Sequence, residues 1–190
     1  MKKNGFTLIE LVVVIVILGI LAVVAAPKFM NLQNDARNAS LKGLEGAFKS
    51  ALNISYAKLA TMGLEDSPYV STADRRKNPD GSWLDTPGIY SVKLPFPECT
   101  KKHPCTFAYG YPQFDDNTLQ QLVTLHGDWT LVRTTDSEGN YVIKITFPEF
   151  TKKVTENNYK KPIMTRNNCY LTYYMATKDR PYKLTLTKCK

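Results

Sequence analysis

The chain has 190 residues, a formal net charge of +8 at pH 7 and four cysteines. This length fits one globular domain with its own core beyond an N-terminal apolar segment, so no second domain is needed. No serine or cysteine nucleophile motif, phosphate-binding glycine loop or metalloprotease helix occurs, so an enzyme would lack any set of catalytic residues. No cofactor is expected.

The first predicted element is an apolar helix, whose uncharged run extends from Leu11 to Ala26. As a helix, the stretch from Phe6 to Ala26 would be about 30 Å long, which is the hydrocarbon thickness of a bilayer. Lys2 and Lys3 precede this stretch. Because positive charge tends to stay in the cytoplasm, we expect the N-terminus inside and the rest of the chain across the membrane.

Glu10 places one carboxylate at the N-terminal end of this apolar run. Ionised groups are rare in such segments because leaving water is costly, so an acid there is expected to be functional and to have a partner. The expected partner is the amino terminus of a second copy. The alternative is an interfacial glutamate on a simple membrane anchor.

Gly19 and Pro27 are weak points of the predicted helix. Glycine costs about 1 kcal/mol relative to alanine inside a helix and proline about 3 kcal/mol. The segment between them is therefore expected to change shape most easily, although a fixed proline kink explains the same residues. Pro27 also makes cleavage after Ala26 unattractive, which argues against an ordinary secretory signal.

The helix is predicted to continue from Lys28 to Met62 as an amphipathic helix, with Gly63 as its C-cap. Lys42, Glu45 and Lys49 are expected on its solvated side. The apolar positions recur at steps of three and four residues: Leu32, Ala36, Leu44, Phe48, Ala51, Leu52, Leu59 and Met62.

The second half of the chain favours strands. Trp129 to Thr135 and Tyr141 to Phe147 flank a polar turn, as do Tyr170 to Ala176 and Tyr182 to Thr187. These two hairpins predict an antiparallel sheet of about four strands. The fold class is therefore α+β, with a long N-terminal helix packed against a C-terminal sheet.

A short helix is predicted before the first hairpin, capped by Asp116 or Asn117, running through Leu125 and ended by Gly127. Ten of the eleven tyrosines follow Gly63. Core packing is the preferred interpretation of these tyrosines, with stacking on sugars as the alternative.

All four cysteines lie beyond the apolar segment, which fits an oxidising compartment. Three pairings are possible. We favour Cys169 with Cys189, because a hairpin folded about Asp179 places them opposite each other. Cys99 and Cys105 would then close a short loop.

Cys99, His103 and Cys105 are also potential zinc ligands. A fourth ligand is missing, the spacing differs from a two-cysteine zinc knuckle, and an adjacent lysine pair opposes cation binding, so no metal site is predicted. His126 is expected at a helix end or in solvent.

A polar loop is predicted to hold a basic cluster of Lys152, Lys153, Lys160 and Lys161 together with Tyr159. Such a composition can attract DNA, anionic polysaccharide or another cell's surface. An ordinary solvated loop that keeps the protein soluble is the preferred interpretation.

The residues Gly5-Phe6-Thr7-Leu8-Ile9-Glu10 resemble the prepilin signature of type IV pilins and type II secretion pseudopilins. The resemblance implies that a prepilin peptidase cuts between Gly5 and Phe6 and methylates the new amino group of Phe6. It also implies that Glu10 neutralises the amino terminus of a neighbouring subunit during assembly.

The resemblance further implies four regions: a leader over residues 1–5, a membrane and filament-core half of the helix over 6–27, an amphipathic half over 28–63, and a variable globular region over 64–190. In this family a stretch like residues 20–26 is helical in the membrane and melts in the filament. The C-terminal cysteine pair often encloses a contact segment, which here is Tyr170 to Lys188.

The function implied is that of a major pilin, which polymerises with itself into a surface filament for adhesion or motility. The implied partners are the prepilin peptidase and methyltransferase, an inner-membrane assembly platform with its ATPase, and an outer-membrane secretin of a Gram-negative bacterium, with surface glycans or DNA as further ligands. A pseudopilin, a minor pilin and a membrane-tethered DNA- or glycan-binding module are the alternatives.

A narrower resemblance, to pilins of the mannose-sensitive haemagglutinin group, rests on the run from Ala26 to Arg37, on Ala39-Ser40-Leu41 and on Tyr109-Gly110-Tyr111-Pro112.

Overall fold

The structure is a computed structural model that describes residues 7–82, 87–113, 116–123, 125, 127–156 and 159–190, with the backbone alone for 26, 27, 30, 31, 116 and 117. Its helices are α1 (Leu8–Ala60), α2 (Asp116–Val123) and a short 3-10 helix (Pro148–Phe150). Its strands are β1 (Val70–Ser71), β2 (Thr106–Ala108), β3 (Tyr111–Pro112), β4 (Thr130–Thr135), β5 (Tyr141–Thr146), β6 (Thr151–Glu156), β7 (Tyr159–Met164), β8 (Tyr170–Tyr174) and β9 (Lys183–Thr187).

The α+β prediction is confirmed: one long helix is followed by antiparallel sheets. The two predicted hairpins join into a four-stranded sheet in the order β4-β5-β8-β9. At one end of this sheet Thr130, Thr146, Tyr170 and Thr187 lie opposite one another in successive strands. The predicted short helix is α2, which ends at Val123. The caps proposed at Asp116 and Asn117 lie outside the described side chains.

The basic segment predicted as a polar loop is instead an antiparallel hairpin, β6 with β7, and the loop prediction is wrong. Backbone hydrogen bonds hold the two strands, so the polar composition that suggested a loop does not prevent pairing. A further small sheet of β1, β2 and β3 was also not predicted.

The second half of α1 packs on the main sheet. This core also contains Cys169 and Cys189. Tyr173 is fully buried, its hydroxyl donates to the carbonyl of Pro112 at 2.7 Å, and burial raises its pKa well above the usual tyrosine value. Other large side chains of this core come from α1, α2, the 3-10 helix, β4, β5 and β8: Leu41, Leu44, Phe48, Leu52, Leu119, Phe150, Leu131, Ile143, Ile145 and Leu171.

A second cluster surrounds Leu59 near the end of α1 and contains Val70, Leu94, Phe96 and Phe107. The disulfide between Cys99 and Cys105 belongs to it. Two small hydrophobic cores therefore lie one after the other along α1.

The predicted apolar face of α1 is correct only in its middle. Leu44, Phe48, Leu52 and Leu59 are buried and Ala51 is half-buried, whereas Leu32, Ala36 and Met62 are exposed. Leu32 and Ala36 lie before the domain begins to contact the helix, and Met62 lies beyond the helix end at Ala60. Apolar spacing alone does not show where along a helix the domain is attached.

Glu45 is also placed differently from the prediction. The helical spacing predicts it on the solvated side with Lys42 and Lys49, but only 8% of its surface is exposed. Both lysine ammonium groups contact its carboxylate, at 2.8 and 2.7 Å, from exposed positions. The lysines thus remain in water while the carboxylate between them is covered.

The strands run along α1, so the domain has two distinguishable ends. Asn38 bonds to Cys189, just beyond the last residue of β9. Tyr56 stacks on Tyr111 at 5.3 Å, and Tyr111 contacts Tyr182, just before β9, at 4.7 Å. We call the end at Asn38, which is closer to the apolar half of α1, the near end, and the end at Tyr56 the far end.

Candidate functional site

The start of α1 is capped by its own side chains. The hydroxyl of Thr7 accepts a hydrogen bond from the backbone N–H of Glu10 at 3.4 Å, and the backbone N–H of Thr7 donates to the Glu10 carboxylate at 2.8 Å. The Thr7 hydroxyl also donates to this carboxylate at 2.5 Å. This is a capping box, which satisfies donors that the first turn leaves open. The sequence pattern of threonine followed three residues later by glutamate could have revealed it.

Glu10 therefore lies at the entrance of the apolar segment with its carboxylate bonded only locally in the described chain. The predicted cleavage site, Gly5 and Phe6, lies outside the described residues. Because the carboxylate is exposed at the helix start, a cationic group of another molecule can reach it.

The described part of the chain does not cover the apolar half of α1. By length and composition Leu8–Ala25 can cross a membrane, with a mean hydropathy of 3.2, and none of this segment is buried. Side chains such as Ile9, Ile20 and Val23 are more than half exposed. Exposed apolar surface of this extent marks a site for lipid or for other protein chains.

α1 is helical without interruption through Gly19 and Pro27. A β-carbon placed on Gly19 would meet no atom within 4 Å, so close packing inside this chain does not require glycine there. The proposed shape change between these two residues concerns the assembled state and stays a prediction.

Two polar residues that the sequence analysis missed attach α1 to the domain. The side-chain amide of Asn38 donates to the carbonyl of Cys189 at 3.3 Å, and its oxygen accepts from the Cys189 N–H at 2.7 Å. Arg37 pairs with Glu149 at 3.2 Å and lies over the ring of Phe150. No local sequence signal reveals these contacts, because the partners are more than 100 positions away.

The structure joins Cys99 to Cys105 and Cys169 to Cys189, the pairing that the sequence analysis favoured. Cys99 and Cys105 therefore offer no thiolate to a metal. His103 is exposed, and its backbone bonds to Thr100 within the disulfide loop. Within the described residues there is no group of three or more potential metal ligands, and His126 lies outside them.

The β6–β7 hairpin divides the predicted basic cluster between two faces. Lys152 lies opposite Ile163 and Val154 opposite Lys161, so Lys152 and Lys161 share one face. Lys153 and Lys160 share the other face. Lys161 also forms an ion pair with Glu156 and lowers the pKa of that carboxyl. The four lysines thus do not form one flat patch.

A cleft of about 600 Å³ lies at the far end, between the β4–β5 turn and the β8–β9 turn. Asp136, in the first turn, accepts hydrogen bonds from the backbone of Glu138 and Asn140, and the Asn140 side chain contributes most to lowering its pKa. The second wall includes Tyr174 and Arg180, which belong to the contact segment suggested within the C-terminal disulfide. The Asp136 carboxylate is therefore already hydrogen-bonded within its own turn.

Comparison with known proteins places the similarity in the pilin-like proteins. A model of the prokaryotic N-terminal methylation motif matches residues 1–26. The type IV narrow pilus major component PilA5 of Thermus thermophilus is 46% identical over 54 residues, which are 28% of this chain and 47% of that protein. The type II secretion system core protein G of Pseudomonas aeruginosa is 43% identical over 53 residues, which are 28% of this chain and 37% of that protein.

Each match thus covers less than half the length of the curated relative. No solved structure matches the chain. The helix that begins at the Thr7 and Glu10 capping box therefore carries the N-terminal signature shared by type IV pilins and type II secretion pseudopilins.

Proposed function

We propose that this chain is a structural subunit, a major pilin, of a type IV pilus, and that it polymerises through α1 into a surface filament for attachment or motility. The observation that carries the proposal is the uncovered apolar segment Leu8–Ala25. Lipid can cover it before assembly, and the equivalent helices of other copies can cover it afterwards. The methylation motif and the similarity to a pilus component support this function.

The proposed route begins with a membrane-anchored precursor. A prepilin peptidase and methyltransferase removes residues 1–5 and methylates Phe6. An inner-membrane platform with its ATPase then lifts the subunit, whose helix halves are 6–27 and 28–63, through an outer-membrane secretin of a Gram-negative cell. Region 64–190 coats the filament.

Glu10 is the assembly residue in this proposal. A charge inside an apolar bundle is costly when alone and can be retained when paired and hydrogen-bonded. The methylated amino group of Phe6 in a neighbouring copy supplies that partner. Until then, the bonds from Thr7 hold the carboxylate at the helix start.

The stretch between Gly19 and Pro27 extends the subunit in the filament. An α-helix rises about 1.5 Å per residue and an extended chain about 3.3 Å, so unwinding residues 20–26 would lengthen the helix by roughly 12 Å. The uninterrupted helix described above is then the form present before assembly.

Replacing Glu10 by alanine tests the role of the charge. The Glu10→Ala chain should be processed and stable but should give few or no surface filaments, counted by electron microscopy. Thr7→Ala is the matched control, because it removes the cap, worth about 1 kcal/mol, and keeps the carboxylate. Normal filament yield from Glu10→Ala, or an equal defect in Thr7→Ala, would count against the proposal.

Processing is tested by mass spectrometry of the surface protein. Cleavage between Gly5 and Phe6 should leave an N-methylated Phe6 as the first residue. An intact Met1, or a terminus at Pro27, contradicts a prepilin.

A type II secretion pseudopilin is the second candidate, favoured by the similarity to a secretion core protein. The C-terminal clasp between Cys169 and Cys189 supports a pilin instead, since major pseudopilins are not expected to have it. Deleting the chain separates the two: loss of surface filaments supports the pilin, and loss of protein export with filaments intact supports the pseudopilin. The number of surface filaments that remain after the deletion also distinguishes a major from a minor pilin.

A membrane-tethered DNA- or glycan-binding module would need Lys152, Lys153, Tyr159, Lys160 and Lys161 and would not need Glu10. The separation of the lysines on two hairpin faces makes this function less attractive. Within the pilins, we place the chain with the mannose-sensitive haemagglutinin group on the residues between Ala26 and Leu41.

A further inference from the structure

We propose that the near end of the domain is a basic surface that rests on the anionic phospholipid headgroups of the membrane in which the subunit waits before assembly. The inference depends on the proposed function in one respect, namely that Leu8–Ala25 spans a membrane. It adds a binding surface on the globular domain, for which neither the signature nor the relatives provide a role.

Arg166 is held at the near end by contacts with two other parts of the chain, the Phe150 ring and Lys190. Its guanidinium lies 4.4 Å from the centre of the Phe150 ring, and Arg37 lies 4.8 Å from the same centre. Arg166 also donates to the carbonyl of Lys190 at 3.4 Å. Helix α1, the base of the β6–β7 hairpin and the segment of Arg166, which bonds to Lys190, therefore meet around one aromatic ring.

Exposed lysines surround this junction. Lys188 and Lys190 flank Cys189, which Asn38 holds against α1. Lys152 and Lys153 lie two and three residues after Phe150, in β6. All four lysines are exposed, and we call them, together with Arg166, the basic rim.

Two carboxylates near the rim are engaged in ion pairs, while Asp35 of α1 is exposed and is outnumbered by Arg37, Arg166 and the four rim lysines. Glu149 is bonded to Arg37, and Glu156 in the hairpin is bonded to Lys161. The four rim lysines are absent from these two pairs. The near end therefore presents net positive charge toward the apolar half of α1, on the side of the membrane.

Helix α1 fixes how far the rim lies from the membrane. From Ala25, the end of the apolar segment, to Arg37 the helix rises about 18 Å. The headgroup layer is roughly 5 to 8 Å thick on each side, and charges act over a further 8 Å or so at physiological salt. A tilt of about 20°, average for spanning helices, brings one side of the near end into this range.

The arrangement of the cations favours headgroups over a nucleic acid duplex. Lys152 and Lys153 point to opposite faces of β6, and Lys188 and Lys190 lie on another segment, so no flat row of cations matches a phosphate backbone. A fluid headgroup layer can surround cations on several faces.

Lysine labelling of the full-length chain in lipid nanodiscs tests the inference. An amine-reactive acylating reagent would be applied in discs of phosphatidylcholine alone and in discs that also contain phosphatidylglycerol, with rates read by mass spectrometry. Each rim lysine should react about fivefold more slowly in the anionic discs. Lys93, Lys102, Lys178 and Lys183, four exposed lysines toward the far end, are internal controls and should not change.

Salt and substitution sharpen the test. Raising the salt until the Debye length falls from about 10 to about 3 Å should remove the protection. A variant with all four rim lysines changed to glutamine should lose the lipid-dependent slowing of hydrogen exchange over residues 148–154. The same change at the four far-end lysines should preserve it.

If the labelling rates of the near-end lysines, like those of the far-end lysines, are the same in both lipids, the inference is overturned while the pilin function stays intact. Equal protection by a short DNA duplex added to neutral discs would overturn the choice of lipid. A chain that does not enter the discs at all would overturn the membrane-spanning segment and with it the proposed function.

Discussion

Glu45 shows how a single carboxylate can link the surface of α1 to its core. It is nearly buried, and Lys42 and Lys49 reach it from exposed positions one turn before and one turn after. The hydrogen bond from Lys42, followed by that from Lys49, lowers the pKa of the Glu45 carboxyl below its usual value of 4.5. The folded chain therefore favours the ionised form.

This pKa predicts a pH-dependent contribution to stability. The contribution of Glu45 is complete above pH 4.5 and is lost as the pH falls through the lower pKa of the folded chain. At pH 7, Glu45→Gln should lower the free energy of unfolding by about 0.5 to 1 kcal/mol. Denaturant unfolding in detergent, repeated at falling pH, should show this difference shrinking.

Glu98→Gln, at an exposed position, is the matched control and should change the free energy of unfolding by less. A difference between wild type and Glu45→Gln that grows toward acidic pH would contradict the assigned direction of the pKa.

The burial of Glu45 could not be predicted from its neighbours in sequence. A charged residue between two lysines on a helix is normally solvated, and only the packed domain reveals that the carboxylate is covered. Asn38 is similar, because its partner Cys189 is brought close by the sheet and the C-terminal disulfide. Local patterns did contain the capping box of Thr7 and Glu10, since its partners are three residues apart.

At the scale of elements, the strongest periodic patterns were predicted well. The first hairpin was expected from Trp129 to Thr135 and from Tyr141 to Phe147, and β4 and β5 lie within these ranges. Their apolar residues alternate and a polar turn joins them, so pattern and structure agree. The helix was expected to end near Met62 and ends at Ala60.

The β6–β7 hairpin was missed for a physical reason. Its strands carry four lysines and a proline, and only Phe150 at its base is buried in this part of the described chain. Strands whose residues are exposed or only half-buried show no clear apolar alternation, and their pairing rests on backbone bonds that the sequence does not encode locally.

The two disulfides are predicted to differ in their contribution to stability. Cys169–Cys189 closes a loop of 20 residues in sequence and Cys99–Cys105 a loop of 6. The chain-entropy account gives about 3 kcal/mol for the longer loop and about 2 for the shorter. The Cys169→Ser/Cys189→Ser chain should therefore unfold more easily than the Cys99→Ser/Cys105→Ser chain by about 1 kcal/mol.

Thermal and denaturant unfolding under non-reducing conditions measure this difference. All four cysteines are buried, so each double variant places two serines in a comparable environment. Equal stabilities, or a greater loss from the shorter loop, would contradict the entropic argument.

At the scale of the whole molecule, α1 has two roles, and different parts of its sequence carry them. Apart from Glu10, Leu8–Ala25 is apolar on all sides and none of it is buried in the described chain, whereas the part from Arg37 to Ala60 is amphipathic and supports the domain. A helix that is apolar all round needs cover from elsewhere. This division is visible in the sequence, while the level at which the domain is attached is visible only in the structure.

The division predicts that the domain does not need the apolar half of its own helix. Removing residues 1–27 should leave a folded, monomeric chain whose free energy of unfolding differs from that of the full-length chain in detergent by no more than about 0.5 kcal/mol. The reason is that none of Leu8–Ala25 is buried by the domain, so its removal breaks no core contact. Analytical ultracentrifugation and thermal unfolding would measure both properties. An unfolded or self-associating 28–190 chain would show that the first half of α1 supports the domain, and would contradict a helix whose N-terminal half is reserved for lipid and for other copies.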